Sequence, residues 1–295
     1  MSFQCKPMAI KKEYRKVLVP IDGSGSSFHA LKQALQFSST EKSWITVVCV
    51  APEYEGDLDS MASGHNLLKE MQRPCEEALA KAKEIAAQGG YSIKTVLEEG
   101  EAASRIIAVA DAYSREMIIM GRRGLSNLER SFVGSVTQRV IGLNHGDVLV
   151  VPNGAAIAWG KILVATDGST FSQTAVERAV RFALAYGGTI EVVSVVDVPA
   201  ELYGDAPDLV ENLIQKARGY AEAAVQMASD KGIMSTAHVI EGLAYEVIPA
   251  LAQKIAANVI VISSHGRTGM LRLLLGNVAE KIIGFATCPV LVAKH

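Results

Sequence analysis

Between Gly121 and Ser135 the chain reads Gly-Arg-Arg-Gly-Leu-Ser-Asn-Leu-Glu-Arg-Ser-Phe-Val-Gly-Ser. Glycines stand at 121, 124 and 134, nine residues separate the second from the third, and a serine follows directly. The apolar run Met117 to Met120 leads in, so the pattern predicts a strand, a loop and a helix N-terminus. Glycine at the end of a buried strand lets a ligand approach the backbone with no Cβ in the way. A glycine-serine pair opening a helix aims unpaired N–H groups and a hydroxyl at one point. An anion suits such a place, phosphate above all. The spacing is not the dinucleotide pattern G-x-G-x-x-G, and G-x-x-x-x-G-K-[ST] does not occur in the chain. An ordinary glycine-containing surface loop is the competing reading of this stretch taken alone.

The elements that must position this loop come in two sets, because the chain repeats itself. Lys16-Val-Leu-Val-Pro-Ile-Asp-Gly-Ser24 returns as Lys161-Ile-Leu-Val-Ala-Thr-Asp-Gly-Ser169, and Val148-Leu-Val-Val151 returns as Val290-Leu-Val-Ala293. A length of 295 residues suits two domains of about 150 residues each, divided as 1–154 and 155–295. Pro152 to Gly160 has the composition of a short linker between them. In the first copy strands are predicted at Val17 to Ile21, Ile45 to Val50, Tyr91 to Leu97, Met117 to Met120 and Val148 to Val151. Helices are predicted at Ser26 to Phe37, Asn66 to Ala87, Ala102 to Tyr113 and Ser135 to Leu143, with Pro74 kinking the second or marking its start.

Strands alternating with helices give an α/β fold, each domain a five-stranded parallel sheet with right-handed crossovers and helices on both faces. The expected strand order is 3-2-1-4-5. It puts a switch point between strands one and four, where ligands bind beyond the carboxyl ends of strands in open sheets. Asp22, after strand one, and Gly121, after strand four, both fall there. The second copy repeats the plan, and its motif reads Ser263-Ser-His-Gly266, nine residues, then Gly276-Asn277. Serine has replaced the first glycine and asparagine the final hydroxyl residue. Asparagine is a good helix cap, whereas Ser263 adds a side chain where backbone would meet a phosphate.

These residues resemble tandem universal stress proteins. The likeness rests on Val-Pro-Ile-Asp-Gly-Ser and Val-Ala-Thr-Asp-Gly-Ser at the first strands, on G-x-x-G-x(9)-G-[ST] and on the closing Cys-Pro-Val-Leu-Val-Ala, and it covers residues 15 to 295. The resemblance implies a Rossmann-like fold of the adenine nucleotide alpha hydrolase type, and ATP, with Mg, as ligand. Adenine and ribose would lie on Pro20, Ile21, Asp22 and Val50, and the phosphates on Met120, Gly121, Arg123, Gly124, Gly134, Ser135, Val136 and Thr137. The matching positions of the second copy are Ala165, Thr166, Asp167, Val195, Ile262, Ser263, Gly266, Gly276, Asn277 and Val278. There the departures at Ser263 and Asn277 put binding in question. The family also implies pairing of the two closing strands into a pseudo-dimer within one chain, with a homodimer and a protein partner left open.

Each position has a plainer reading as well. Asp22 is equally at home as the turn residue of Asp-Gly-Ser, Ser135 as a helix cap, and Arg122, Arg123 and Arg130 as solvated loop cations rather than phosphate partners. Glu129 is the one carboxylate of the motif loop, and no nucleophile-base pair is visible from spacing. Slow ATP hydrolysis and a nucleotide-free scaffold therefore both stand beside nucleotide binding. A formal net charge of -2 offers no basic field for nucleic acid. No apolar run reaches the length of a membrane helix, and Met1 to Lys16 lacks the apolar block of a signal peptide, so a soluble cytoplasmic protein is expected. Cys5, Cys49, Cys75 and Cys288 form no C-x-x-C, and Cys49 reads as a small buried hydrophobe. The stretches Ala51 to Gly64 and Pro199 to Pro207 differ between the copies and suit covers over the two clefts.

Overall fold

The computed structural model describes residues 14–41, 43–53, 64–125, 133–199, 201–266 and 275–294. The first half runs β1 (Lys16–Pro20), α1 (Gly25–Glu41), β2 (Trp44–Ala51), α2 (Gly64–Gln88), β3 (Ile93–Glu99), α3 (Ala102–Ala112), β4 (Met117–Gly121), α4 (Ser135–Leu143) and β5 (Asp147–Val151). The second runs β6 (Lys161–Ala165), α5 (Thr170–Tyr186), β7 (Thr189–Val196), α6 (Leu202–Asp205), α7 (Pro207–Ser229), β8 (Ser235–Glu241), α8 (Ala244–Lys254), β9 (Val259–Ser263), α9 (Asn277–Phe285) and β10 (Val290–Ala293). Pro74, read as either kinking α2 or marking its start, lies inside the helix and does not begin it, and α6 is a four-residue helix within the stretch read as a cover loop.

All strands join one ten-stranded sheet of order β3-β2-β1-β4-β5-β10-β9-β6-β7-β8. Each half keeps the 3-2-1-4-5 order, and the pairs within each half are parallel. The two closing strands meet antiparallel, Leu291 opposite Leu149. Central strands are apolar at nearly every position because both faces are covered. One face carries the core that α1, α2, α5 and α7 pack against, the other the core of α3, α4, α8 and α9, and each core contains residues of both halves. The two domains thus share their hydrophobic interior across the β5–β10 seam.

Polar and aromatic contacts close that seam. Trp159, from the stretch read as a linker, stacks on Phe182 at 3.6 Å between centroids, and Phe182 stacks on Tyr14 at 5.5 Å. The same stretch lies on α1, where His29 Nε2 is 2.8 Å from Ala155 O and Ile157 N donates to Gln33 Oε1. Asp147, at the start of β5, is buried. It accepts from the Tyr14 hydroxyl and, at 2.9 Å, from the Lys294 backbone N–H, and pairs with Arg178 Nε at 2.6 Å. One carboxylate therefore gathers the first strand's approach, α5 and the exit of β10. Among the described residues no helix is long and apolar enough to cross a membrane.

Cys49 and Cys75, 26 residues apart, are joined as a disulfide with 5.5 Å between their Cα atoms. This corrects the reading of Cys49 as a lone hydrophobe. It is buried, as expected, but alternation along β2 turns it toward α2 while Val48 and Val50 face the other way. Spacing in sequence could not reveal the pair, since a β-α crossover brings the two residues together.

Two outcomes follow from these contacts. A non-reduced digest should yield a peptide linking Cys49 to Cys75 that separates on reduction. Replacing both cysteines with serine should cost about 3 kcal/mol of unfolding free energy, on loop-closure grounds; no linked peptide in freshly purified protein would refute the pairing. Burial pushes the Lys294 ammonium down from 10.5 to about 8, against the opposing pull of Asp147. Between those two values the unfolded chain binds the additional proton, so stability should rise with pH across that window. Compared with Lys294→Met in chemical unfolding, the wild type should gain up to about 3 kcal/mol between pH 8 and 10.5, and parallel profiles would contradict the burial argument.

Candidate functional site

The parallel strands β1 and β4 diverge at the carboxyl edge of the first sheet, β1 leading to α1 and β4 into the glycine loop. A cavity of about 260 Å³ opens between them. Every position that the resemblance pointed to lines it: Pro20, Ile21, Asp22, Val50, Met120, Gly121, Arg123, Gly124, Gly134, Ser135, Val136 and Thr137. Ser27, Val48, Ala102, Ile106 and Leu125 complete the wall. Some of these were within reach of the sequence. Val48 shares a strand face with Val50, and Ala102 and Ile106 are one helical turn apart. One side of the cavity is thus an apolar slot of Ile21, Val48, Val50, Ile106 and Met120.

The other side is polar and consists largely of backbone. Gly134 is the N-cap of α4, with φ -61° and ψ 144°, and no side chain caps it. The plainer reading of Ser135 was a helix cap; it is the first helical residue, as the predicted span had it, because Gly134 already has the extended conformation that a cap requires. The opening N–H groups of α4 lack acceptors within the helix and adjoin the cavity through Ser135, Val136 and Thr137. Thr137 Oγ1 donates to Gly121 O at 3.2 Å, and Gly134 N donates to Arg122 O at 2.9 Å, so the helix start and the end of β4 are fastened together.

Two of the glycines are needed by the protein itself. A Cβ at Gly121 would come within 2.4 Å of Ser26 Oγ and 3.0 Å of Ser26 backbone, at the start of α1. A Cβ at Gly124 would lie 2.1 Å from Asp22 Oδ2. The aspartate explains why. Its Oδ1 accepts from Ser24 N at 3.0 Å and its Oδ2 from Leu125 N at 2.9 Å, so Asp22 is both the turn residue of Asp-Gly-Ser and the latch of the glycine loop.

The loop arginines part company. Arg123 is exposed and lines the cavity. Arg122, read as a possible phosphate cation, turns away and donates to backbone carbonyls at the end of α9. Burial, and secondarily the charge of Arg123, pushes its guanidinium below its ordinary value. Glu129 and Arg130 lie outside the described residues.

The second half has a larger cavity, about 590 Å³, at the equivalent place. Ala165, Thr166, Asp167, Val195, Ile262, Ser263, Gly266, Gly276, Asn277 and Val278 all line it. Gly276 is the N-cap of α9, again without a side-chain cap, so Asn277 does not cap as its residue type suggested. Ser263 Oγ donates to His265 O at 2.7 Å, which ties this hydroxyl into its own loop. His265 stands where the first copy has Arg123, with its ring 5.8 Å from Phe171. Asp197 and Leu213 border the cavity on either side of the 199–207 stretch, whose described residues contribute none of the lining. The stretch read as a cover for the first cavity, 51–64, falls largely outside the described residues.

Among the described residues no group of three or more histidines, cysteines or carboxylates is placed to hold a metal ion. Asp22 is the only carboxylate among the described residues of the first cavity's wall, and each of its oxygens accepts one backbone N–H bond.

Comparison with known proteins agrees over both halves. A universal stress protein of Mycolicibacterium smegmatis is 25% identical over 293 residues, which is 94% of this chain and 96% of that one. One from Methanocaldococcus jannaschii is 36% identical over 141 residues, 47% of this chain and 82% of its own. The crystal structure of a universal stress protein from Archaeoglobus fulgidus has the same fold, with a TM-score of 0.71 at 22% identity, covering 95% of this chain and 96% of that one. The model of the universal stress protein family matches residues 13–152 and again 158–294. The chain belongs to the universal stress protein family, as two tandem copies of its domain.

Proposed function

We propose that the chain is an ATP-binding stress-response module of the cytoplasm, with the nucleotide held in the first cavity and 1–154 and 155–295 as its two units. The observation that carries this reading is the join between the apolar slot and the uncapped start of α4, with Arg123 beside it. A purine is flat and largely apolar on its faces, which suits the slot between Val50, Ile106 and Met120. A phosphate chain needs N–H donors and positive charge, which α4 and Arg123 supply. Residues of these types fit the group, apolar side chains for the base and N–H donors with an arginine for the phosphates.

Magnesium enters this reading with the nucleotide. Asp22 is engaged by one N–H on each oxygen, from Ser24 and Leu125, and the ion's ligands would come chiefly from phosphate and water, as is usual for magnesium on a nucleotide. Asp22 lines the cavity at the base and sugar end in this reading and also keeps the loop closed over Gly124. The chain's own work is binding, orientation and exclusion of water at the slot. The second cavity has the same plan with His265 in place of Arg123, and its half serves in this reading as the partner domain.

Calorimetric titration of stripped protein with ATP and Mg²⁺ should show one site per chain. Gly134→Arg should weaken it by at least about tenfold, since an added side chain there projects beside Arg122 and Arg123, with a melting temperature near that of the wild type. Two equivalent sites would show that His265 and Asn277 are tolerated, and absence of heat in the wild type would overturn the proposal.

A further inference from the structure

Arg122 carries an inference that neither cavity suggests alone. Its neighbours in sequence belong to the first site: Gly121 ends β4 and Arg123 lines the cavity. Its own side chain crosses to the other domain. There Nη1 lies 2.8 Å from Gly284 O, 2.9 Å from Ala286 O and 3.4 Å from Ile283 O, at the C-terminal end of α9. Terminal carbonyls of a helix lack intrahelical donors and carry its negative pole. The last turn of α9 has no basic residue of its own, so a cation from the first domain fills that place.

The backbone of the same residue does a second job. Arg122 O accepts from Gly134 N, the N-cap of α4. The two sources of positive potential at the polar end of the first cavity, Arg123 and the start of α4, therefore both hang on residue 122. A further tie runs parallel to it, Gln138 Nε2 on α4 donating to Glu280 Oε1 on α9 at 2.5 Å. The backbone tie recurs in the second copy, where Gly276 N donates to Ser264 O at 3.4 Å, but the side-chain anchor is one-sided. At the corresponding place in the second copy stands Ser264, whose Oγ is 3.0 Å from His265 Nδ1 in its own loop.

We infer that Arg122 is a positioning residue through which the second domain completes the first cavity: anchored on the last carbonyls of α9, it holds Arg123 and the N-terminus of α4 where phosphate is received. This deepens the nucleotide reading and rests on it for the identity of the ligand. It also gives the second domain a task that requires no ligand of its own. The opposite end of α9, at Gly276 and Asn277, walls the second cavity, so the anchor and that cavity lie on one short helix.

The test compares wild type, Arg122→Ala and Arg122→Lys in the full chain, by titration with Mg²⁺-ATP and, separately, with adenosine. Arg122→Ala should lose about tenfold to a hundredfold in affinity for ATP, as expected when several hydrogen bonds from a charged group are removed. Its affinity for adenosine, which does not reach the loop, should stay within about twofold. Lysine can still donate to the carbonyls and should recover part of the loss. Amide exchange over 121–125 and 134–137, measured without nucleotide, should accelerate in the alanine variant. Equal losses for ATP and adenosine would assign Arg122 a merely structural part and overturn the inference, as would an alanine variant unchanged in ATP affinity. Should the wild type bind no ATP, the nucleotide reading falls by itself; unchanged exchange would then reject the positioning role, and faster exchange would uphold it.

Discussion

The antiparallel pairing of β5 with β10 is the constraint on which the rest of this molecule depends. Each half, standing alone, would end its sheet on an apolar strand with an open row of backbone donors and acceptors, a configuration prone to indiscriminate pairing. Here the two open rows satisfy one another, and Val148 to Val150 face Val290 to Val292. Both hydrophobic cores then run through the junction without a break. The Asp147 cluster and the ring stack of Tyr14, Phe182 and Trp159 are secondary to that pairing, since each assembles groups which the seam has already brought close.

Pairing in this sense also dictates where the cavities face. Strands of the two halves run in opposite directions, so the carboxyl edge of one sheet lies beside the amino edge of the other. Crossover helices run against their strands, and α9 consequently ends where the first domain's glycine loop begins. The contact between Arg122 and α9 is a geometric product of the antiparallel junction, and a parallel one would have set the loop against the wrong end of the helix. Within the first cavity a similar economy holds. Asp22 closes a turn with one oxygen and a loop with the other, and Gly124 is small because the aspartate is there.

Much of this was legible in the residues. The repeated Asp-Gly-Ser turns and closing valine strands revealed two copies, alternation of strand and helix gave the sheet order, and α4 begins and ends at Ser135 and Leu143 as its pattern indicated. The edge at which the cavity opens was legible too, because a switch point and a glycine motif converge there, while most of its wall residues came from the family resemblance. What escaped were pairings between positions far apart in sequence. Nothing about Cys49 and Cys75 announces a disulfide until β2 and α2 are packed, and although the resemblance singled out Arg123, nothing in the sequence tells where Arg122 goes until a helix more than half the chain away supplies carbonyls. Caps were misplaced for a local reason, since an extended glycine can precede a helix and leave the serine or asparagine after it to be its first residue.

Joining the copies in one chain has a consequence that two separate copies could not share. In a symmetric pair of identical subunits every residue at the interface occurs twice, and whatever one copy does for its neighbour is returned in kind. A tandem chain is released from that reciprocity. Residue 122 is arginine while its counterpart is Ser264, so this one support, from the end of a helix to the opposite glycine loop, runs in one direction. The fusion has turned an interface between equals into a division of labour: one half presents its loop, and the other, freed from copying it, holds that loop in place.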